Sequence, residues 1–242
     1  MKRLLCLIFA IALLLSGCSQ GDTDSSPDQN SNSKPETGNH SIYYADRVSV
    51  DKIAYYFNDV CYGNEYGNSK EILTKWQDPI MFYIDGVATM SDYEVLNEFV
   101  DFLNNIDGFP GIMQIHDRAQ ANLVINFCGL AEFNQHSSEQ NADGFATFNY
   151  TTATGVITDG KIYIRTDINQ ATRSSVILEE VYQILGPTKD TLVRKDSIIY
   201  QRGDALELSK EDKSIISMLY NNRITAGMSP IQTEEIIREI YY

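Results

Sequence analysis

Apolar positions recur along this chain in two rhythms, helical and alternating, after a long prefix that follows neither. Val48, Ile53, Tyr56, Phe57 and Val60 stand close to helical spacing and predict a helix over 48–60. Trp76 to Gly86 (W-Q-D-P-I-M-F-Y-I-D-G) predicts a strand running into a turn. Ser91-Asp92-Tyr93-Glu94 has the form of a capping box. It opens a helix through Ile106, with Val95, Leu96, Phe99, Val100 and Leu103 on one side, which Asp107-Gly108 ends. Ala121 to Cys128 (A-N-L-V-I-N-F-C) predicts a strand, and Lys161 to Arg165 a short one. Between them Gly144 to Tyr150 (G-F-A-T-F-N-Y) alternates apolar and polar, the pattern of an edge or half-exposed strand. A helix follows from Gln170 to Leu185, with Ile177, Val181, Ile184 and Leu185 as its buried stripe. Gly186 stands where a helix ends and Pro187 bars its continuation. Ser209 opens another helix, through Tyr220. Ser229-Pro230-Ile231-Gln232 joins an N-cap, a proline in the first turn and a capping-box glutamine, opening a last helix to Ile240. The order is helix, strand, helix, three strands, then helices. It predicts an α+β domain with one small mixed sheet packed on helices.

The prefix divides in two. Met1-Lys2-Arg3 is a short basic start, and Leu4 to Leu15 is an uncharged apolar run. Twelve helical residues span only ~18 Å, too short for a ~30 Å hydrocarbon core. The run therefore reads as the apolar region of a signal peptide over residues 1–17. It ends in Leu15-Ser16-Gly17-Cys18, which resembles a lipobox: an apolar residue, two small ones, then the cysteine that receives diacylglycerol before cleavage. The expectation is a chain anchored to a membrane through Cys18, on the outer face of the cell membrane or in the outer membrane of a two-membrane cell. From Ser19 to Ser41 the chain is Ser, Asn, Asp, Gln, Gly and Pro, with almost nothing to bury. Residues 18–42 thus read as a lipidated cysteine and a disordered tether of ~25–30 Å average reach. Residues 43–242 have globular composition and suffice for one domain with a sizeable core.

Charge narrows the partners. Without Lys2 and Arg3 the chain keeps 17 basic residues against 33 acidic ones, a net charge of −16. Such a domain excludes nucleic acid as a partner and does not dock on anionic lipid. Outside the prefix two cysteines remain, Cys61 and Cys128. An extracytoplasmic setting permits a disulfide between them, and two buried thiols are the alternative.

One segment offers chemistry. On a helical wheel Glu179 and Gln183 project together, opposite the apolar stripe, and Glu180 flanks them. Glu179-Glu180-Val181-Tyr182-Gln183-Ile184-Leu185-Gly186 resembles the H-E-x-x-H-x-x-G helix of metzincin zinc peptidases. In that comparison Glu179 and Gln183 stand at the two zinc-histidine positions, Glu180 at the general base and Lys189, followed by Asp190, at the third ligand. Downstream, Leu219-Tyr220 through Met228-Ser229 places a methionine in a turn before the last helix. The chain is more similar still to a family of uncharacterised bacterial secreted proteins, a domain of unknown function. Its members carry E-E-x-x-Q-x-x-G and an L-Y-x-x-x-I-x-x-G-M-[ST] segment, matched here from about Leu73 to Ile240. The resemblance implies a zincin-like single domain.

Its departure from the peptidase pattern implies the absence of zinc chemistry. Zinc favours imidazole or thiolate, with three protein ligands in catalytic sites. Gln183 offers a neutral amide, Lys189 is a cation, and the only histidines are His40, His116 and His136, none paired at helical spacing. No metal and no cofactor is expected. Three readings of the carboxylates stay open. They form a solvated acidic face; or a groove with Asp190, Tyr220 and Met228, in which the edge strand Gly144 to Tyr150 pairs with an extended peptide or the groove holds an envelope polymer; or a non-zinc hydrolase in which Glu180 is the catalytic base.

Overall fold

The computed structural model describes residues 7–10, 48–63, 70–137 and 142–241. In chain order the elements are β1 (Leu7–Ala10), α1 (Val50–Tyr62), β2 (Lys75–Trp76), β3 (Ile80–Gly86) and α2 (Met90–Asn104). Then come β4 (Ile112–Gln114), β5 (Leu123–Cys128), α3 (Leu130–His136), β6 (Gly144–Tyr150) and β7 (Val156–Arg165). The chain closes with α4 (Gln170–Ile184), α5 (Lys210–Leu219) and α6 (Pro230–Ile240). Cys18, His40 and most of the prefix lie outside the described residues. Among the described residues no helix is long and apolar enough to cross a membrane.

One sheet runs in the order β1-β6-β7-β5-β3-β4, with β2 paired to the first residues of β7. It is mixed but mostly parallel: only β6 and β7 are antiparallel to each other. The expected mixed sheet on helices is therefore present. α4 packs on β6 and β7, α2 packs on α4, and α1 packs on α5 and α6. Short α3 covers the other side of β7 over a small cluster of Cys128, Phe133, Ala142, Phe145 and Tyr163.

Several predicted boundaries move, for local reasons. The strand expected over 76–86 is two, β2 and β3, interrupted at Asp78-Pro79, where proline supplies no backbone donor. The cap of α2 is Thr89 rather than Ser91. Thr89 Oγ1 accepts from Asp92 N at 3.3 Å, and Thr89 N donates to Asp92 Oδ2 at 2.7 Å. The strand expected over 161–165 extends back to Val156, and short β4 and α3 appear where no periodicity marked them.

Buried polar groups lock the helices together. Asp92 accepts from Arg173 Nε at 2.9 Å and from Gln170 Nε2 at 2.7 Å, fixing the start of α4 on α2. Burial opposes its charge, yet the bonds from Arg173, Gln170 and Thr89 hold the Asp92 carboxyl below its usual range. Asp212, at the start of α5, accepts from Arg194 Nη1 and Ser197 Oγ, both at 2.6 Å, and from Ile198 N at 3.0 Å. Buried Lys75 donates to the carbonyls of Leu219 and Ile224 at 2.7 and 2.8 Å, capping the end of α5.

Candidate functional site

The site is built on α4. Its first turn is capped by Asn169, whose side chain accepts from Thr172 N at 3.0 Å. Eleven of its fifteen residues are buried, and from Ser175 to its end no face of it is left to water. That overturns the expected solvated acidic face: Glu179, Glu180 and Gln183 are each only 1% exposed. The helical wheel placed them opposite the apolar stripe, but α4 is enclosed by the sheet and by other helices.

Glu180 does not flank Glu179 toward solvent. It lies on the sheet side of α4, against the first residue of β6. A methyl group on Gly144 would stand 3.1 Å from Glu180 Cγ and 3.2 Å from Glu180 Oε1. It would also stand 2.3 Å from Val176 Cγ1. Glycine at 144 is what admits Val176 and the Glu180 side chain beneath the strand.

Gln183 points elsewhere. Its Nε2 donates to Asp190 Oδ1 at 2.7 Å, inside the domain. Among the described residues Gln183 Oε1 and Thr188 Oγ1 have no hydrogen-bond partner. Lys189, one residue before Asp190, forms an ion pair with Asp59 of α1, and its backbone N donates to Val60 O at 3.2 Å. Thr191 Oγ1 donates to the second Asp59 oxygen at 3.3 Å. The segment after α4 is thus tied back onto α1. The structure joins Gln183 and Asp190, two of the groove candidates, in a buried pair.

Tyr220 and Met228 do not join this group. Tyr220 is fully buried, and its hydroxyl donates to Leu185 O at 2.9 Å. Trp76 Nε1 donates to Ile184 O at the same distance. Both rings thereby satisfy carbonyls that the last turn of any helix leaves open. Burial raises the Tyr220 hydroxyl far above the usual phenol range, so its role here is that of a donor. Met228 sits in a turn whose backbone pairs with Leu73: Leu73 N donates to Met228 O at 2.8 Å and Gly227 N to Leu73 O at 2.9 Å. The Met228 side chain lines a shallow polar cleft of about 600 Å³ with Gln77, Thr154 and Gln232. Gly227 packs on Thr154 and Gly155, just before the first residue of β7, whereas Gly144 pairs with Ile164 near its last. The turn and the Glu180 carboxyl therefore lie at opposite ends of β7.

Cys61 and Cys128 are both free and buried, the second of the two readings left open. Cys61 belongs to the main core and Cys128 to the small cluster under α3. Burial pushes the Cys61 thiol up to about 12 and the Cys128 thiol up to about 11, away from reactive thiolate. His116 is exposed, and His136 ends α3 with its ring stacked on Tyr163 at 4.5 Å.

The residues fail the test for a zinc centre. At the comparable positions stand a buried carboxylate, an amide whose nitrogen is engaged by Asp190, and a lysine engaged by Asp59. The polar groups that pattern reading missed are structural. Arg194 gives no periodic signal, yet it meets Asp212 across an irregular segment.

No curated protein matches the chain. A family described as protein of unknown function (DUF2927) matches residues 50–239, nearly the whole of the folded domain from α1 to α6. The chain belongs to that family.

Proposed function

We propose that this protein is an extracytoplasmic lipoprotein whose metzincin-like domain binds a component of the cell envelope and does not carry out zinc peptidase chemistry. One observation carries the reading: the E-E-x-x-Q helix is closed into the fold. Glu179, Glu180 and Gln183 are buried, and Gln183 is engaged with Asp190. A zinc peptidase needs imidazole-type ligands and an open position where metal-bound water is activated. Gln183 and Lys189 supply neither. Burial of Glu180 beneath Gly144 also weighs against its use as a base on an incoming substrate. The lipid anchor rests on Leu15-Ser16-Gly17-Cys18.

The test uses the mature chain with Cys18→Ser, purified without lipid. Elemental analysis is expected to find no stoichiometric zinc. Casein digestion is expected to be the same with and without chelator. Stoichiometric zinc together with chelator-sensitive cleavage overturns the proposal. For the anchor, cells fed labelled palmitate are expected to label the wild-type chain and not Cys18→Ser; equal labelling removes the lipid from the reading.

A further inference from the structure

A hollow lies between α2, α4 and the irregular stretch before α5. Along α2, Val95, Glu98, Phe99 and Phe102 stand at i, i+3, i+4 and i+7, so they share one stripe. Leu178 of α4 adds to the floor, and Leu206, Glu207 and Leu208 form a further wall. With Lys213 these residues line a half-open cavity of about 250 Å³. The Phe99 and Phe102 rings are stacked, with centroids 6.3 Å apart. Phe99 and Leu178 are buried, whereas Leu206 is 58% exposed.

The start of α5 explains how a charge comes to sit in this apolar place. Ser209 is the cap, so Leu208 precedes the cap and Lys213 is the fourth helical residue. A hydrophobic staple joins apolar residues at these two positions. Here the second is lysine, and its Nζ stands 6.0 Å from the centre of the Phe102 ring. The hollow therefore already receives a cation, the protein's own, at the outer limit of cation–π range.

The rim is acidic. Glu98 and Glu207 line the hollow from α2 and from the stretch before α5. Among the described residues neither carboxylate has a hydrogen bond or an ion pair. Glu94 and Asp101, both exposed, stand about one turn to either side of Glu98. Lys213 is the only cation among the described residues that line the hollow.

We infer that this hollow binds a small organic cation with an apolar body, an aryl- or branched alkylammonium ion. Size sets the body. A cavity of about 150 Å³ lined by Leu, Ile and Phe takes benzene, so one of about 250 Å³ admits a ring with a short carbon chain. Charge sets the head group. The stacked rings offer an ammonium their negative faces, Glu98 and Glu207 offer it counter-charge, and a domain of net charge −16 draws cations and repels anions. The inference stands apart from the reading of the E-E-x-x-Q helix, because none of Glu179, Glu180 and Gln183 lines the hollow.

The probe is 2-phenylethylammonium, titrated into the mature Cys18→Ser chain with isotope-labelled leucine and valine methyl groups and followed by NMR. Saturable shifts are expected at the methyls of Val95, Leu178, Leu206 and Leu208, with a Kd of about 0.1–3 mM for so small a ligand. Neutral 2-phenylethanol and anionic phenylacetate are expected to bind at least about fivefold more weakly. The double variant Glu98→Gln, Glu207→Gln is expected to weaken the ammonium by about fivefold and to leave 2-phenylethanol unchanged, a pattern that loss of folding does not produce. Lys213→Met is expected to tighten the ammonium by about twofold to fivefold, because the competing cation is gone.

Absence of saturable shifts at these methyls overturns the inference. So does phenylacetate binding as tightly as the ammonium, or a weaker ammonium complex with Lys213→Met. N-acetyl-lysine methylamide binding as tightly as 2-phenylethylammonium also overturns it, because the occupant is then a basic side chain of another polypeptide.

Discussion

Gly144→Ala puts a methyl group into the contact between β6 and α4. The new carbon would lie 2.3 Å from Val176 Cγ1. Non-bonded carbons settle at about 3.5–4.0 Å, so more than an ångström must be found. Val176 cannot supply it by rotating, because a β-branched side chain in a helix holds one strongly preferred rotamer. The Glu180 atoms, 3.1 and 3.2 Å away, belong to a longer side chain that can shift. Backbone movement of β6 or α4 is what remains, and overpacking of this kind costs about 1–3 kcal/mol. For a domain of this size that lowers Tm by roughly 2–12 °C. Val176→Ala removes the offending methyl and by itself costs about 1–3 kcal/mol of burial and cavity. The double variant is expected to be more stable than the sum of the two losses by at least about 1 kcal/mol. Urea unfolding of the four mature Cys18→Ser proteins, followed by circular dichroism, measures that coupling. Additive losses, or a Gly144→Ala protein as stable as its parent, would refute the idea that glycine at 144 exists to admit α4.

Two further outcomes follow from the buried charges. Asp212→Asn strands the Arg194 guanidinium, which is 2% exposed, beside a neutral amide. The expected loss is about 3–5 kcal/mol by urea unfolding; a loss below 1 kcal/mol would show that the pair is not the fastener of α5. Lys75 is lowered to about 8 by burial, from an ordinary 10.5, so the fold prefers the neutral amine. Below pH 8 it is protonated in both states and the fold bears the full cost of burying the charge. Between pH 8 and 10.5 the unfolded chain binds more protons, and this contribution raises stability by up to about 1.4 kcal/mol per pH unit. Cys61 works in the opposite sense above pH 9, where the unfolded thiol ionises and the folded one, at about 12, does not. The Lys75 gain is therefore cleanest between pH 8 and 9, and Lys75→Met is expected to flatten it; equal slopes in the two proteins would place the gain elsewhere.

Much of this frame is readable from residue order. The helices from Gln170, Ser209 and Ser229, the Gly186-Pro187 stop and the β6 strand all appear where periodicity and capping residues put them. These signals are local: a cap, a spacing, a missing donor. The environment of Glu179, Glu180 and Gln183 is not local. A helical wheel separates one face from another but says nothing of what packs on each, and α4 is enclosed on every side from Ser175 onward. A hint existed in Val176, Glu180 and Ile184, which lie four apart and together face β6 and β7. The burial of Tyr220 and the distance of Met228 from the carboxylates depend on segments meeting across the fold, and no spacing encodes that. Thr89 does not stand out as a cap because Ser91 offers the same chemistry two residues later, and only the path out of β3 chooses between them.

The two rings at the end of α4 also bear on when the domain can finish folding. Trp76 reaches Ile184 O from far upstream, and Tyr220 reaches Leu185 O from 35 residues downstream. A chain that crosses a membrane N-terminus first delivers Trp76 and α4 well before Tyr220. Until Tyr220 arrives, the carbonyl of Leu185 has no partner in the chain and must stay in water, so the end of α4 cannot be buried. Closure of the core thus waits on the last tenth of the polypeptide, and a chain that stops before that point is left with an open, unfinished domain.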